Sequence, residues 1–143
     1  GVPVSIGVDG SASNDTSDYL GEMRNALLLQ RVKYGSDAIG ARDILEAATL
    51  GGAHALGFDR VGRVETGWAA DLALFDVHRF EYAGALEDPL AALMFAGYSH
   101  QTAYTIVNGT VVVRDGRLVG YDEDRLFREG NAAAKRLVHL AAE

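Results

Sequence analysis

Asp9 is the residue of this chain best placed to do chemistry. It ends the apolar run Val4 to Val8 and is followed by a glycine and small polar residues, Gly10-Ser11-Ala12-Ser13-Asn14-Asp15. A strand that delivers a carboxylate to its C-terminal tip is how α/β barrels place reacting groups, because the loops beyond the strand ends form the active face. The same residues also suit a plain strand followed by an Asp-Gly turn. Asp9, Ser11 and Ser13 alternate as calcium-loop ligands do, but the sixth position is Asn14 rather than Gly and the twelfth is Leu20 rather than a bidentate Glu, which excludes that site. A catalytic zinc site needs about three protein ligands plus a water. The histidines, His54, His78, His100 and His139, form neither His-x-His nor His-x-x-x-His. There is no Gly-x-Ser-x-Gly elbow, phosphate loop or cysteine nucleophile. Asp9 is thus the one convincing ligand candidate.

Gly7 to Asp15, taken with Glu22-Met23-Arg24 and Leu27-Leu28-Leu29-Gln30-Arg31, resembles the last barrel strand and following helix of the amidohydrolase superfamily. The likeness is to the branch of 8-oxoguanine deaminase and the triazine aminohydrolases. Glu46-Ala47-Ala48-Thr49 through Gly57 is similar to the small-residue helix near the end of that barrel, where small side chains allow backbones to approach closely. Val61-Gly62-Arg63-Val64-Glu65-Thr66-Gly67, leading into Ala70 to Asp76, resembles the point where such chains enter a small β-sandwich built from both ends of the full protein. Trp68 stands where relatives often carry a basic residue, a departure that bears on packing. Asp71 belongs to the sandwich in the family, so a turn or strand-start role is expected of it rather than catalysis.

The resemblance implies an α/β chain: the C-terminal fragment of a metal-dependent (β/α)8 TIM-type barrel plus the C-terminal part of the accompanying sandwich. It implies that Asp9 is both metal ligand and catalytic base for a divalent ion, zinc first and iron as the alternative. The remaining ligands, a His-x-His pair and further histidines, would come from earlier barrel strands outside this chain, as would a general-acid glutamate. The implied reaction is hydrolysis of a C–N bond in an amino-substituted heterocycle, with 8-oxoguanine as lead and other purines, pterins and triazines open. Ser11 and Asn14, with Ser13, would face the substrate; capping the helix and satisfying the loop backbone is their other role. The remainder of the parent polypeptide and a second copy of the protein are the expected partners, in the cytoplasm. The alternative is a stand-alone, non-catalytic α/β interaction module without metal.

The elements needed to position Asp9 follow from local signals. Residues 1–60 read as the strand and the terminal barrel helices. N-cap candidates from Asn14 to Ser17 precede a helix whose inner face is Leu20, Met23, Leu27 and Tyr34, widened by Leu28 and Val32. Asp15 and Asp18 near its start and Arg31 and Lys33 near its end complement the helix dipole. A second helical stretch begins at Ser36-Asp37, with Ile44, Leu45, Ala48, Ala55 and Leu56 inside; Gly51-Gly52 is expected to divide it in two. His54 there reads as structural. Residues 61–121 form the sandwich part, with a helical insertion near 88–96 opened by Asp88 as cap and Pro89 at the first position. His100 is expected in an exposed polar connection. Asn108-Gly109 and Asp115-Gly116 mark the tight turns of a three-stranded meander. Residues 122–143 form a C-terminal helix capped by Asp122, with Leu126, Ala133, Leu137 and Leu140 on one face for packing on the parent barrel.

Composition limits the remaining possibilities. With 143 residues, 48% hydrophobic and 23% charged, the chain is long enough for a core and is globular in character. Its net charge of −7, spread along the sequence, argues against a nucleic-acid partner. No apolar run approaches the ~20 residues of a membrane span. The absence of cysteine excludes disulfides and thiolate metal sites. By the usual domain size of about 150 residues, the resemblance makes this the final third of a protein of roughly three domains.

Overall fold

The computed structural model describes residues 2–10, 13–14, 16–97 and 100–140. Helix α1 (Tyr19–Tyr34) starts on an aspartate. Asp18 has extended backbone, and its Oδ1 accepts the N–H of Gly21 at 3.0 Å. The cap is therefore Asp18 and not a residue between Asn14 and Ser17, because Asn14 folds back on its own loop. Gly35 ends the helix, its N–H donating to the Arg31 carbonyl. Leu20, Met23 and Leu27 are buried as the spacing requires, with Leu27 fully enclosed. Leu28, Val32 and Tyr34 are exposed, Val32 at 85%, so the buried stripe is narrower than the apolar one.

The next helix begins at Ala41, later than Ser36, because residues 36–38 turn before Gly40 opens the helix and bonds to the Asp43 carboxylate at 2.8 Å. Helix α2 (Ala41–Glu46), a π-helical segment (Ala47–Gly51) and α3 (Gly52–Leu56) then run on without a break. Gly51 and Gly52 keep right-handed helical backbone instead of dividing the stretch. Gly51 serves close approach: a Cβ there would strike the Val4 carbonyl oxygen. Ile44 of α2 and Met94 of α4 (Pro89–Phe95) join Leu20, Met23 and Leu27 in one core, against which Ile6, Phe75, Leu90 and Leu93 pack. Burial of each such side chain contributes roughly 1.5–3 kcal/mol. Asp88 caps α4 through the Ala91 N–H at 3.0 Å, with Pro89 at its first turn as expected.

Strands β1 (Leu72–Leu74), β2 (Tyr104–Val107), β3 (Thr110–Arg114) and β4 (Arg117–Leu118) form one antiparallel sheet in chain order. Asn108 and Gly109 both have positive φ, 47° and 79°, the backbone of a tight hairpin turn that matches strand twist. Asp71 has the structural role expected of it, its Oδ1 accepting the Asn108 N–H at 2.6 Å and tying the start of β1 to that turn. Helix α5 (Glu123–Leu140) follows, with Asp122 accepting from Arg125 N–H at 2.9 Å. No residue of α5 is buried, and Leu126, Leu137 and Leu140 lie exposed on its apolar side. Residues 4–8, read as a strand, form no ladder with any described residue. A strand requires a neighbour to pair with, and here the backbone passes over the helices instead. No helix of the described residues is long and apolar enough to cross a membrane.

Candidate functional site

The segment before Asp9 is held in place by side chains and backbone of the helical layer. Ile6 packs on the core formed by α1, α2 and α4. The Tyr19 hydroxyl lies 3.0 Å from the Ile6 carbonyl and 2.8 Å from the Ala48 carbonyl in the π-helical segment. Burial pushes the Tyr19 phenol above its ordinary value of 10.0.

Asp9 itself is exposed and takes left-handed backbone, φ 66°. Asp and Asn are the non-glycine residues that tolerate this region best. Its Oδ1 accepts the Gly10 N–H at 2.8 Å, a short bond that fixes one carboxylate oxygen at the chain reversal. Ser13 N–H and Asn14 N–H both donate to the Gly10 carbonyl at 2.9 Å, and the Ser13 hydroxyl donates to it at 3.1 Å. Asn14 Oδ1 accepts from Thr16 N–H and Ser17 N–H, while its Nδ2 donates to Glu22 at 3.2 Å. Asn14 thus shapes the loop between Asp9 and α1 and anchors it to the helix. Ser11 and Asp15 lie outside the described residues.

One pairing had no signal in the sequence. His100 is half-buried, and its Nδ1 donates to the Asp18 carboxylate, 2.7 Å from Oδ1 and 2.6 Å from Oδ2. The exposed setting expected for His100 is therefore corrected: it closes on a helix cap that lies 82 residues earlier. A cap that also accepts from an imidazole should be more costly to lose than either bond alone. Asp18→Ala is expected to lower the unfolding free energy by about 1–3 kcal/mol, about 1 of it from the cap and the rest from the charge-assisted bond. His100→Ala should cost only the second part; urea midpoints of the two variants check this.

Asp18 and His100 stand at one rim of an open cleft of about 1310 Å³ between the helices and the sheet. Leu20, Met23, Leu45, Leu72, Phe75 and Leu93 give it an apolar lining. Small-molecule pockets usually fall between ~300 and 1,000 Å³ and enclose their ligand, so this space is large and open for one. His54 is exposed on α3, and Arg63 stacks over the Trp68 ring at 5.4 Å, which gives that tryptophan a packing role.

For a metal, the chemistry of the donor set decides the fit. No group of three or more His, Cys, Asp or Glu residues comes together among the described residues. The described residues do not form a zinc site by themselves. Asp9 fits as one oxygen donor of such a site, since only one of its oxygens is engaged by a described backbone group.

Comparison with known proteins follows the same lines. Residues 1–112 match the sequence profile of the amidohydrolase family. The 8-oxoguanine deaminase of Pseudomonas aeruginosa is 40% identical over 96% of this chain and 30% of its own length. A 5-methylthioadenosine/S-adenosylhomocysteine deaminase of Halobacterium salinarum is 39% identical over 99% of this chain and 32% of its own. Among solved structures, an adenosine deaminase from Xanthomonas campestris with bound zinc superposes with TM-score 0.88 at 35% identity, over 96% of this chain and 32% of that one. An atrazine chlorohydrolase from Arthrobacter aurescens TC1 complexed with zinc gives 0.79 at 35% identity, over 86% and 28%. The metal named for both structures is zinc, which supports a divalent ion and lends nothing to iron. The chain spans about a third of the length of the curated relatives it matches.

Proposed function

Since this chain belongs to the amidohydrolase family, we propose that it is the C-terminal third of a zinc-dependent aminohydrolase that removes an amino group from a nitrogen heterocycle. The observation that carries the proposal is the family match over residues 1–112, which contains Asp9 at the turn-out of a segment clamped onto the helices. Residues 1–60 would be the last barrel strand with its helices, 61–121 the end of the sandwich and 122–143 the closing helix. The strand at residues 4–8 would gain its ladder from barrel strands elsewhere in the parent protein. The cleft between helices and sheet, too open for a small ligand, suits further polypeptide of that protein. A homo-oligomer and a cytoplasmic setting belong to the same proposal.

In the mechanism, Asp9 would join ligands from the rest of the parent in holding zinc, whose Lewis acidity would supply an acidified water near neutral pH. The Asp9 carboxylate takes a proton from the attacking water and orients that water toward the amino-bearing ring carbon. A carboxylate beside a cation stays ionised at neutral pH yet remains able to receive a proton as charge moves. The bond from Gly10 N–H to Oδ1 restricts rotation of the carboxylate and so helps to fix its direction. An acid from outside this chain protonates the amino nitrogen as its bond to the ring carbon breaks, so that it leaves as ammonia. Ser11 is the loop residue proposed to face the ring, and Asn14 contributes by setting the loop's shape.

The two deaminases named above support 8-oxoguanine as lead substrate with 5-methylthioadenosine next, and a hydroxydechloroatrazine ethylaminohydrolase of Pseudomonas sp. strain ADP, 38% identical over 97% of this chain, adds hydroxylated triazines. A stand-alone interaction module is the weaker reading. It would have to cover the apolar cleft and the outer faces of α1 and α5 by itself, and contiguous apolar surface of that extent is uncommon on monomers. The test is the parent enzyme assayed for ammonia release from 8-oxoguanine and the other two compounds. Treatment with a chelator is expected to abolish release and added zinc to restore it; release indifferent to chelation would overturn the proposal.

A further inference from the structure

We infer that Tyr19 is a positioning residue for the Asp9 carboxylate: its hydroxyl, shared between the carbonyls of Ile6 and Ala48, ties the segment that carries Asp9 to the π-helical turn of the neighbouring helix. This rests on the role of Asp9 proposed above. A phenol has one proton, so at 3.0 and 2.8 Å the two carbonyls share it and are drawn to a common point. One carbonyl stands three residues before Asp9. The other lies within Ala47–Gly51, where wide winding interrupts the regular ladder and lets a carbonyl take an outside donor; such turns gather at functional sites.

The same wide turn touches the segment a second time. Gly51 sits so close to the Val4 carbonyl oxygen that a Cβ has no room. With Ile6 on the core, residues 4–6 are held by packing, by close approach and by the Tyr19 bond. Nothing comparable holds Asp9, whose only side-chain partner among the described residues is the adjacent Gly10 N–H. Its direction is therefore inherited from residues 4–6. The Tyr19 ring is more than a third exposed, so its packing is partial and its hydroxyl makes the specific contact. Burial of that hydroxyl raises its proton affinity above that of an ordinary phenol.

The experiment uses the parent enzyme with zinc and whichever of 8-oxoguanine, 5-methylthioadenosine or a hydroxylated triazine it turns over fastest. Wild type, Tyr19→Phe, Asp9→Asn and the double variant are compared for kcat, KM, zinc content and far-UV circular dichroism. Tyr19→Phe keeps the ring and removes only the donor. It should lower kcat about tenfold, the order expected for one lost hydrogen bond, with KM within about twofold and zinc retained. In the Asp9→Asn background the same change should alter kcat less than about twofold, since the group it positions is already gone. Gly51→Ala, which pushes on Val4 from the other contact, should show the same dependence on Asp9. Wild-type kcat in Tyr19→Phe, or falls that multiply in the double variant, would overturn the inference and leave the Asp9 assignment standing. A normal kcat in Asp9→Asn would overturn both.

Discussion

An Asp9→Asn parent enzyme is expected to lose about 10²–10⁴-fold in kcat, the usual consequence of removing a general base, while KM changes little. The substitution is unusually clean at this position. Asp9 has φ 66°, a backbone region that asparagine enters at least as readily as aspartate, so the turn into Gly10 should survive. The amide oxygen can still accept the Gly10 N–H, as Oδ1 does now at 2.8 Å. What disappears is the negative charge and its affinity for a proton. Ligands outside this chain would keep much of the zinc, so metal content should fall only in part. The interaction lost is one made in the transition state, which places the effect in kcat. Steady-state kinetics with bound zinc measured on the same samples checks this. An Asp9→Asn protein with its metal and near-normal kcat would reduce Asp9 to a turn residue.

The second large effect is all-or-none. Residues 1–143 purified alone, with zinc added, should release no measurable ammonia from 8-oxoguanine or related amino-heterocycles. The described residues bring no three metal-ligating side chains together, and a catalytic zinc needs about that many. The same preparation should elute as oligomers or aggregates in sizing experiments. Val32 is 85% exposed and Leu137 67% exposed, and the apolar cleft adds to this uncovered surface. Turnover by the isolated chain would place the whole site within these residues, and a compact monomer unfolding cooperatively would show that they need no further polypeptide to cover them.

Local chemistry was legible in the sequence. Asp88 and Asp122 each begin a helix because cap and first turn lie within four residues of one another, with Pro89 adding to the signal at the first. Asn108-Gly109 and Asp115-Gly116 turn as expected because positive φ is demanded at the residues that supply it. Asp9 stands out in the sequence because a carboxylate at the end of an apolar run is a local pattern too. What escaped was decided at a distance. The pairing of His100 with Asp18 joins residues 82 apart, and a lone histidine gives no hint of its partner. Gly51-Gly52 looked like a helix break; propensity alone favours one, but the contact with Val4 decides that glycine is needed inside the helix. The apolar residues of α1 overstated its buried face for a similar reason, since Leu28 and Val32 have nothing among the described residues to cover them.

The wide turn at Ala47–Gly51 also limits how this stretch of sequence can change in length. A helix that winds through a π segment carries one residue more than regular winding would use. Deleting a single residue there would return the whole of 41–56 to even α-helical pitch, and for the helix in isolation that is a gain in regularity. The two halves would keep nearly their present orientation, since the wide turn already absorbs the surplus residue, but the turn itself would narrow and its carbonyls would point back along the helix axis. Gly51 would leave its place beneath Val4, and the Ala48 carbonyl would turn away from Tyr19. The surplus residue is thus retained by its neighbours rather than by the helix. The shorter, more regular helix would cost the segment leading to Asp9 two of its supports.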